Sequence, residues 1–476
     1  MNNAIEELKK FVRRKNTAFS KYVALDIEKS GPTIQDELVH FLSTTMDQVR
    51  VNKALDCTRR VLAIADLEDF EMFREGVWKR EATRGMAYDK QRDHTAHTLN
   101  NWLLGWYFYS HSDRIYSAIN TAIERRDWNP SASHKFSFDQ YFGHTWQYTS
   151  LLHDIGYLFE GSITSMDTGN QSKQAEIGLR TADEYFTMAF WKQTGATSVH
   201  AHPEFRKLVS MPDAPQEASL SKIAIYLRAL GRLNNLAKEV AADLQHSAGK
   251  RRSAKLELPG DAFDLWQAHF KHFGQADAAQ RIEDLQAAFL EDVTKGMPGA
   301  DIRVLDHGVC SGLLQLKIAT FFYNLFANFD NLEDDGGEYS PAAVAAKMRA
   351  REDTVAVPHD YEFWWSGIVW ASASAALHNI QQRGERWASG VKGRTLALAD
   401  EPLTYLGILV DCIQDWDRYF VYDSRTRNPV QGIEVDLGHE QGKIMIKVPA
   451  PLFKKMTEDL DKALSDWTEI VTLTSK

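Results

Sequence analysis

Leu151-Leu152-His153-Asp154-Ile155-Gly156-Tyr157 sets an imidazole beside a carboxylate at the end of an apolar helical run. Neutral imidazole and ionised carboxylate are the usual ligands of a hydrolytic divalent cation. Neighbouring residues on a helix point about 100° apart, so one ion takes both only where the backbone lies close to it. The pair has two readings. In one it is the centre of a metal site. In the other His153 is a satisfied core histidine and Asp154 starts a turn. On the dipeptide alone the second reading is the stronger, and what reverses it lies elsewhere in the chain.

Working outward, residues 136–152 form the apolar helix that delivers the pair. Upstream, Arg92-Asp93-His94-Thr95-Ala96-His97 precedes Leu99, Trp102, Leu103, Leu104 and Trp106. His94 and His97 are three apart and share a helix face that those apolar residues drive into a core. Downstream, Asp306-His307-Gly308 opens an apolar helix over 309–326. An Asp there has a structural reason to exist, because it accepts backbone N–H groups at the positive end of the dipole. A further helix, 361–381, carries Trp364, Trp365, Ile368 and, toward its end, His378; its run Ala371 to Ala376 is small enough for close packing. Pro402 starts a helix over 403–417 with Asp411 in an otherwise apolar stretch.

A carboxylate in a core helix costs several kcal/mol unless it is paired or binds a cation. Arg418, about two turns beyond Asp411, is a candidate partner, so that residue alone stays ambiguous. His97, His153, Asp154, His307, His378 and Asp411 together are harder to explain as separate accidents. Histidine nitrogens, a shared carboxylate and open positions are what a one- or two-metal site needs.

The remaining chain supplies the frame. Residues 4–28 and 33–77 read as helices divided by Gly31-Pro32, and the basic run Lys9 to Lys15 as a solvated face. Helical runs at 174–191, 219–246 and 276–295 read as an insertion over 163–300 that covers or extends a more compact core. Its loop, Ser247 to Lys255, carries Lys250, Arg251, Arg252 and Lys255, which suit either phosphate or, more safely, solvent. The acidic loop Asn331 to Ser340 does not have EF-hand spacing and reads as solvated. Near the end, 433–437 and 443–448 alternate with period two around a Gly-His-Glu-Gln-Gly link and predict a β-hairpin. A final amphipathic helix is predicted over 452–472. The expected organisation is an N-terminal helical region (1–80), a helical core (81–425) containing the insertion, and a C-terminal hairpin with helix (426–476).

Composition bounds the function. The 476 residues are 44% hydrophobic, 25% charged and 11% aromatic, an ordinary globular balance with material for a sizeable core. With 55 Lys plus Arg against 65 Asp plus Glu, the net charge of -10 disfavours a long nucleic acid as partner. Three scattered cysteines, Cys57, Cys310 and Cys412, give neither a disulfide framework nor a CxxC zinc site. There is no ~18-residue apolar run and no secretory h-region, so the expectation is a cytoplasmic chain without a membrane span.

The order His97, His153-Asp154, His307, His378, Asp411 resembles the HD superfamily of metal-dependent phosphohydrolases. The flanking words Asp306-His307-Gly308-Val309, Ala376-Leu377-His378-Asn379-Ile380 and Asp411-Cys412-Ile413-Gln414-Asp415-Trp416-Asp417-Arg418 are similar to segments of bacterial HD-domain proteins. The resemblance covers roughly 83–425, with 163–300 unmatched. It implies an HD-type helical core, and with the helical insertion and the C-terminal hairpin plus helix read above the expected fold is mainly α. It also implies that His97, His153, Asp154 and Asp411 hold one cation. Asp154 then bridges to a second held with His307 and His378. His97 is preferred to His94 as first ligand; His94 then contacts phosphate or donates a proton. Catalytic roles fall to His94, Asp154 and His307, and substrate contacts to Arg92, Asn379 and Gln414, with Asn379 and Gln414 also able to supply hydrogen bonds behind the ligands.

The implied activity is hydrolysis of a phosphoester, a nucleotide or nucleotide-derived signal, with one or two divalent ions (Mn, Mg, Fe, Ni or Zn). The partner is a small phosphorylated substrate, and a homo-oligomer is compatible with the sequence. Two rivals stand beside this: a di-iron oxygenase on the same fold, and a nucleotide-sensing or assembly module with little turnover.

Overall fold

A computed structural model describes residues 2–26, 31–44, 47–65, 67, 70–71, 73–77, 90–92, 94–126, 137–158, 231, 233, 259–294, 306–327, 363–379, 395–414, 419–421 and 434–476. The expected helices at 174–191 and 219–246, the basic loop from Lys250 to Lys255 and the acidic loop from Asn331 to Ser340 lie outside them. The fold is mainly helical, and the chain divides into two compact units: Met1–Asp154 with Leu377–Lys476, and Ile155–Ala376.

The first unit begins with strand β1 (Asn2–Asn3) and helices α1 (Ala4–Arg13), α2 (Ala18–Val23), α3 (Ile34–Ser43) and α4 (Asp47–Ala63). α1 is amphipathic, with Glu6 and Glu7 in its first turn, Lys10 and Arg13 in its last, and Leu8, Phe11 and Val12 buried. The single helix expected over 4–28 is two. Asn16 takes a left-handed φ of 62°, and Thr17 with Ser20 forms a capping box that restarts the chain. The helix expected over 33–77 is likewise interrupted: α3 ends at Ser43, and Thr44 is extended.

Strand β2 (Lys90–Arg92), antiparallel to β3 (Tyr419–Val421), leads to α5 (His94–His111). From His94 to Tyr109 every residue of α5 is buried, which makes it the central helix of the unit. Against it pack α4, α6 (Asp113–Arg125), the segment after α7 (Phe138–Trp146) and α12 (Pro402–Ile413). The α5–α7 crossing is close. Trp146 Nε1 donates to the carbonyl of Trp102 at 3.0 Å, and a Cβ on Gly105 would overlap the Trp146 ring. Phe19, Tyr22, Trp106, Tyr109 and Phe142 fill in around this contact with edge and stacked ring geometries.

The C-terminal part joins β1 in a four-stranded sheet, in the order β1, β4 (Asp436–Glu440), β5 (Lys443–Val448) and β6 (Val471–Ser475). β4 and β5 form the expected hairpin, but the strand takes in Gly438, His439 and Glu440. The link is only Gln441-Gly442, both at positive φ (49° and 73°), the two-residue turn whose twist matches the flanking strands. The final helix is also shorter than expected. α13 (Ala450–Ala463) ends, and Val471–Ser475 forms β6, parallel to β5. Val471-Thr472-Leu473-Thr474 is β-branched at three of four positions, which suits a strand more than a last helical turn.

The second unit contains α8 (Ala262–His272), α9 (Ala276–Thr294), α10 (His307–Ala327) and α11 (Val369–Leu377). Asp306 does what a cap should: its carboxylate accepts from Val309 N at 2.8 Å. The small-residue run packs closely, as expected. A Cβ on Gly312 of α10 would press on the Ser372 carbonyl and the Ala376 methyl, and Trp266 Nε1 donates to Ser372 Oγ at 2.9 Å. Gly156 is similarly committed, since its N–H donates to Ser311 Oγ at 2.7 Å and a Cβ there would overlap the His307 carbonyl oxygen.

Candidate metal centre

The helix carrying the central dipeptide changes character before reaching it. α7 passes into a π-helical segment, Gln147–Leu151, and Leu152 (φ -113°, ψ 4°) leaves the helix. π-segments of this kind recur at functional sites. His153 and Asp154 occupy a turn before the 3₁₀ segment Ile155–Leu158. The 100° divergence of neighbouring helical residues therefore does not apply, and the two side chains converge: His153 Nε2 lies 3.3 Å from Asp154 Oδ1. Both are buried.

Three other stretches of the first unit meet them there. α5 supplies His97 from its first turns, α12 supplies Asp411 from its last, and His378 follows directly after α11. His97 Nε2 is 2.7 Å from Asp411 Oδ1, His153 Nε2 is 3.8 Å from the same oxygen, and His378 Nε2 is 3.9 Å from Asp154 Oδ1. Ring centroids of His153 and His378 are 4.8 Å apart, and those of His97 and His153 6.0 Å. One ligand atom each from His97, His153 and Asp154 fall within 4.8 Å of one another, so these residues could hold a metal ion.

The tautomers sharpen the picture. His153 Nδ1 lies 2.7 Å from the carbonyl oxygen of Ser150, which can only accept, so Nδ1 carries the proton. His97 Nδ1 faces Gln414 Oε1. Each imidazole is thus anchored at Nδ1 and presents Nε2 inward, the arrangement in which partners behind a metal-binding histidine fix its ring and tautomer. His153 Nε2 makes no hydrogen bond among the described residues. Burial opposes charge on His153, but Asp154 and Asp411 outweigh it and raise its pKa. Two buried carboxylates facing imidazole lone pairs fit a cation between them.

His94 is buried on the same helix, its ring centroid 6.5 Å from that of His97. Asn379 is buried beside His378 in sequence. Arg92 is on β2, and Arg418 lies outside the described residues. His307 belongs to the second unit, where it opens α10 and stacks on Tyr157 with centroids 3.8 Å apart.

Sequence reasoning missed Asn101. One turn beyond His97, its Nδ2 lies 3.1 Å from His97 Nε2 and 3.3 Å from Asp411 Oδ1. An amide in the middle of a buried aromatic helix needs partners, and its i,i+4 relation to His97 was the available signal. Arg74 was missed as well, because nothing local to it points toward α5.

Compared with family models, with curated proteins and with solved structures, the chain matches none.

Proposed function

We propose that this chain is an HD-type metal-dependent phosphohydrolase acting on a small phosphoester, a nucleotide or a nucleotide-derived signal. The observation that carries the reading is the pair of imidazoles anchored through Nδ1 to Gln414 and Ser150, with Nε2 turned toward the carboxylates of Asp154 and Asp411. The order of these residues along the chain supports it too. His97, His153, Asp154 and Asp411 would be the ligands of a first divalent cation, and His378 stands near Asp154 for a second. His307 takes its place in that second set from the resemblance alone.

A divalent cation here supplies a Lewis acid and lowers the pKa of water. The chain's own residues do the rest. Gln414 and Ser150 hold the imidazoles in one tautomer, so the donor set is organised before substrate arrives. The aromatic packing of α5 and α7 shields the set from bulk water, which strengthens every charge interaction within it. His94, its ring centroid 6.5 Å from that of His97, serves as proton donor or phosphate contact, with Arg92 and Asn379 on substrate. The net charge of -10 favours a compact substrate over a polyanionic strand.

The test is phosphate release from a panel of nucleotides with Mn²⁺ or Mg²⁺, comparing wild type with the His153→Ala/Asp154→Ala double variant. Turnover by the wild type and its loss in the variant is the expected result. Turnover unchanged in the variant would refute the reading. Iron-dependent oxygen uptake without phosphate release would assign the oxygenase chemistry, and nucleotide binding without turnover the sensing module.

A further inference from the structure

We infer that Arg74, remote in sequence from the candidate ligands, is a positioning residue that sets His97 through the first turns of α5. The inference rests on the metal reading above and concerns the same centre. Arg74 is almost wholly buried. Its Nη2 donates to the carbonyl oxygen of Thr95 and to Thr98 Oγ1, each at 2.7 Å, and its Nη1 donates to Glu71 Oε2 at 3.3 Å. Thr98 Oγ1 in turn donates to the Thr95 carbonyl at 3.1 Å. The two residues Arg74 grips stand on either side of His97, two before and one after.

A planar guanidinium donating to two acceptors at once fixes distance and direction together, which a point charge cannot do. The turn it holds also carries His94. Gln414 anchors the His97 ring at Nδ1, and Arg74 anchors the backbone turn from which that ring projects, so the position of Nε2 is set at both ends. Glu71, itself buried, keeps the guanidinium charge paired.

The sign of the effect separates positioning from electrostatics. A buried cation near a metal site repels the metal, and burial already pushes the Glu71 carboxyl up to about 7, so it can take a proton when Arg74 is removed; charge alone therefore predicts cation binding that is tighter or unchanged. Positioning requires the opposite. The experiment is calorimetric titration of the apoprotein with Mn²⁺, with the Co²⁺ ligand-field spectrum as a second readout. Both are recorded at a temperature where circular dichroism shows each variant folded. Arg74→Met is expected to weaken Mn²⁺ binding about tenfold, in the range seen for residues behind metal ligands, and to alter the Co²⁺ spectrum. Thr98→Val, which leaves the Glu71–Arg74 pair intact and removes one acceptor, is expected to show a smaller loss of the same sign and carries the test if Arg74→Met does not fold. Arg74→Lys should recover part of the affinity. Unchanged or tighter Mn²⁺ binding in the folded variants, with the Co²⁺ spectrum preserved, would overturn the positioning role and leave the metal reading standing. Failure of the wild type to bind either ion would overturn both.

Discussion

Replacing Gln414 by Leu tests how the centre is organised. Gln414 is fully buried at the C-cap of α12, and its Oε1 receives the Nδ1 proton of His97. Leucine keeps the volume and removes the acceptor. A buried N–H left without a partner costs about 1–3 kcal/mol. At about 1.4 kcal/mol per tenfold, that is roughly 5- to 150-fold in whichever equilibrium depends on the His97 tautomer. Part of the cost falls on folding. The part that falls on cation affinity arises because the ring is no longer obliged to turn Nε2 inward, and loss of such partners typically weakens binding about 10- to 100-fold. Calorimetric titration with Mn²⁺ measures that part, and thermal unfolding of the metal-free protein measures the other. Gln414→Glu keeps the acceptor and should retain binding. Mn²⁺ affinity in Gln414→Leu equal to that of wild type would refute the anchoring of His97.

Other outcomes follow from the packing and from burial. Gly105→Ala places a methyl inside the Trp146 ring position, and overpacking of this kind should destabilise the protein by about 3 kcal/mol, seen as a lower denaturation midpoint at unchanged slope. Asp411→Asn should weaken cation binding far more than it lowers stability, since it removes a charge shared by His97 and His153, as titration and thermal unfolding of the same sample would show. Burial depresses the pKa of His144 to about 3 from the usual 6.5, where its Nδ1 faces Tyr22 OH at 3.1 Å. The unfolded chain therefore takes up that proton first. The stability linked to His144 is whole above pH ~6.5 and falls by up to about 1.4 kcal/mol per pH unit as pH drops toward 3. Urea titrations across that window should show the loss, and His144→Gln should flatten it.

The helices of the core were legible because their apolar runs are long and end in punctuation. α10 matches its expected span almost to the residue, with Asp306 capping it as an Asp in that place should. The breaks were less legible. Asn16 in a left-handed conformation interrupts an amphipathic pattern that continues on both sides, so periodicity reads through it. β6 was hidden for a related reason, because a short parallel strand after a crossover helix has no turn signal to announce it. The convergence of His97, His153, Asp154, His378 and Asp411 could be anticipated only as a list of ionisable residues in apolar surroundings. What the list could not contain was how His153 and Asp154 escape helical divergence. The π-helical segment and the turn at Leu152 do that, and no residue type in Gln147–Leu151 marks them. Arg74 and Asn101 belong to a further class: their meaning lies in which backbone or side-chain atoms they meet across the fold, and that is settled by packing.

The most direct test of the metal centre is the cation content of the purified protein, measured by inductively coupled plasma mass spectrometry for wild type and for His153→Ala/Asp154→Ala side by side. One or two divalent ions per chain in the wild type, lost in the folded double variant, is the expected result. A wild type that binds no divalent ion even after incubation with Mn²⁺, Fe²⁺ and Zn²⁺, or a double variant that keeps its full complement, would contradict it.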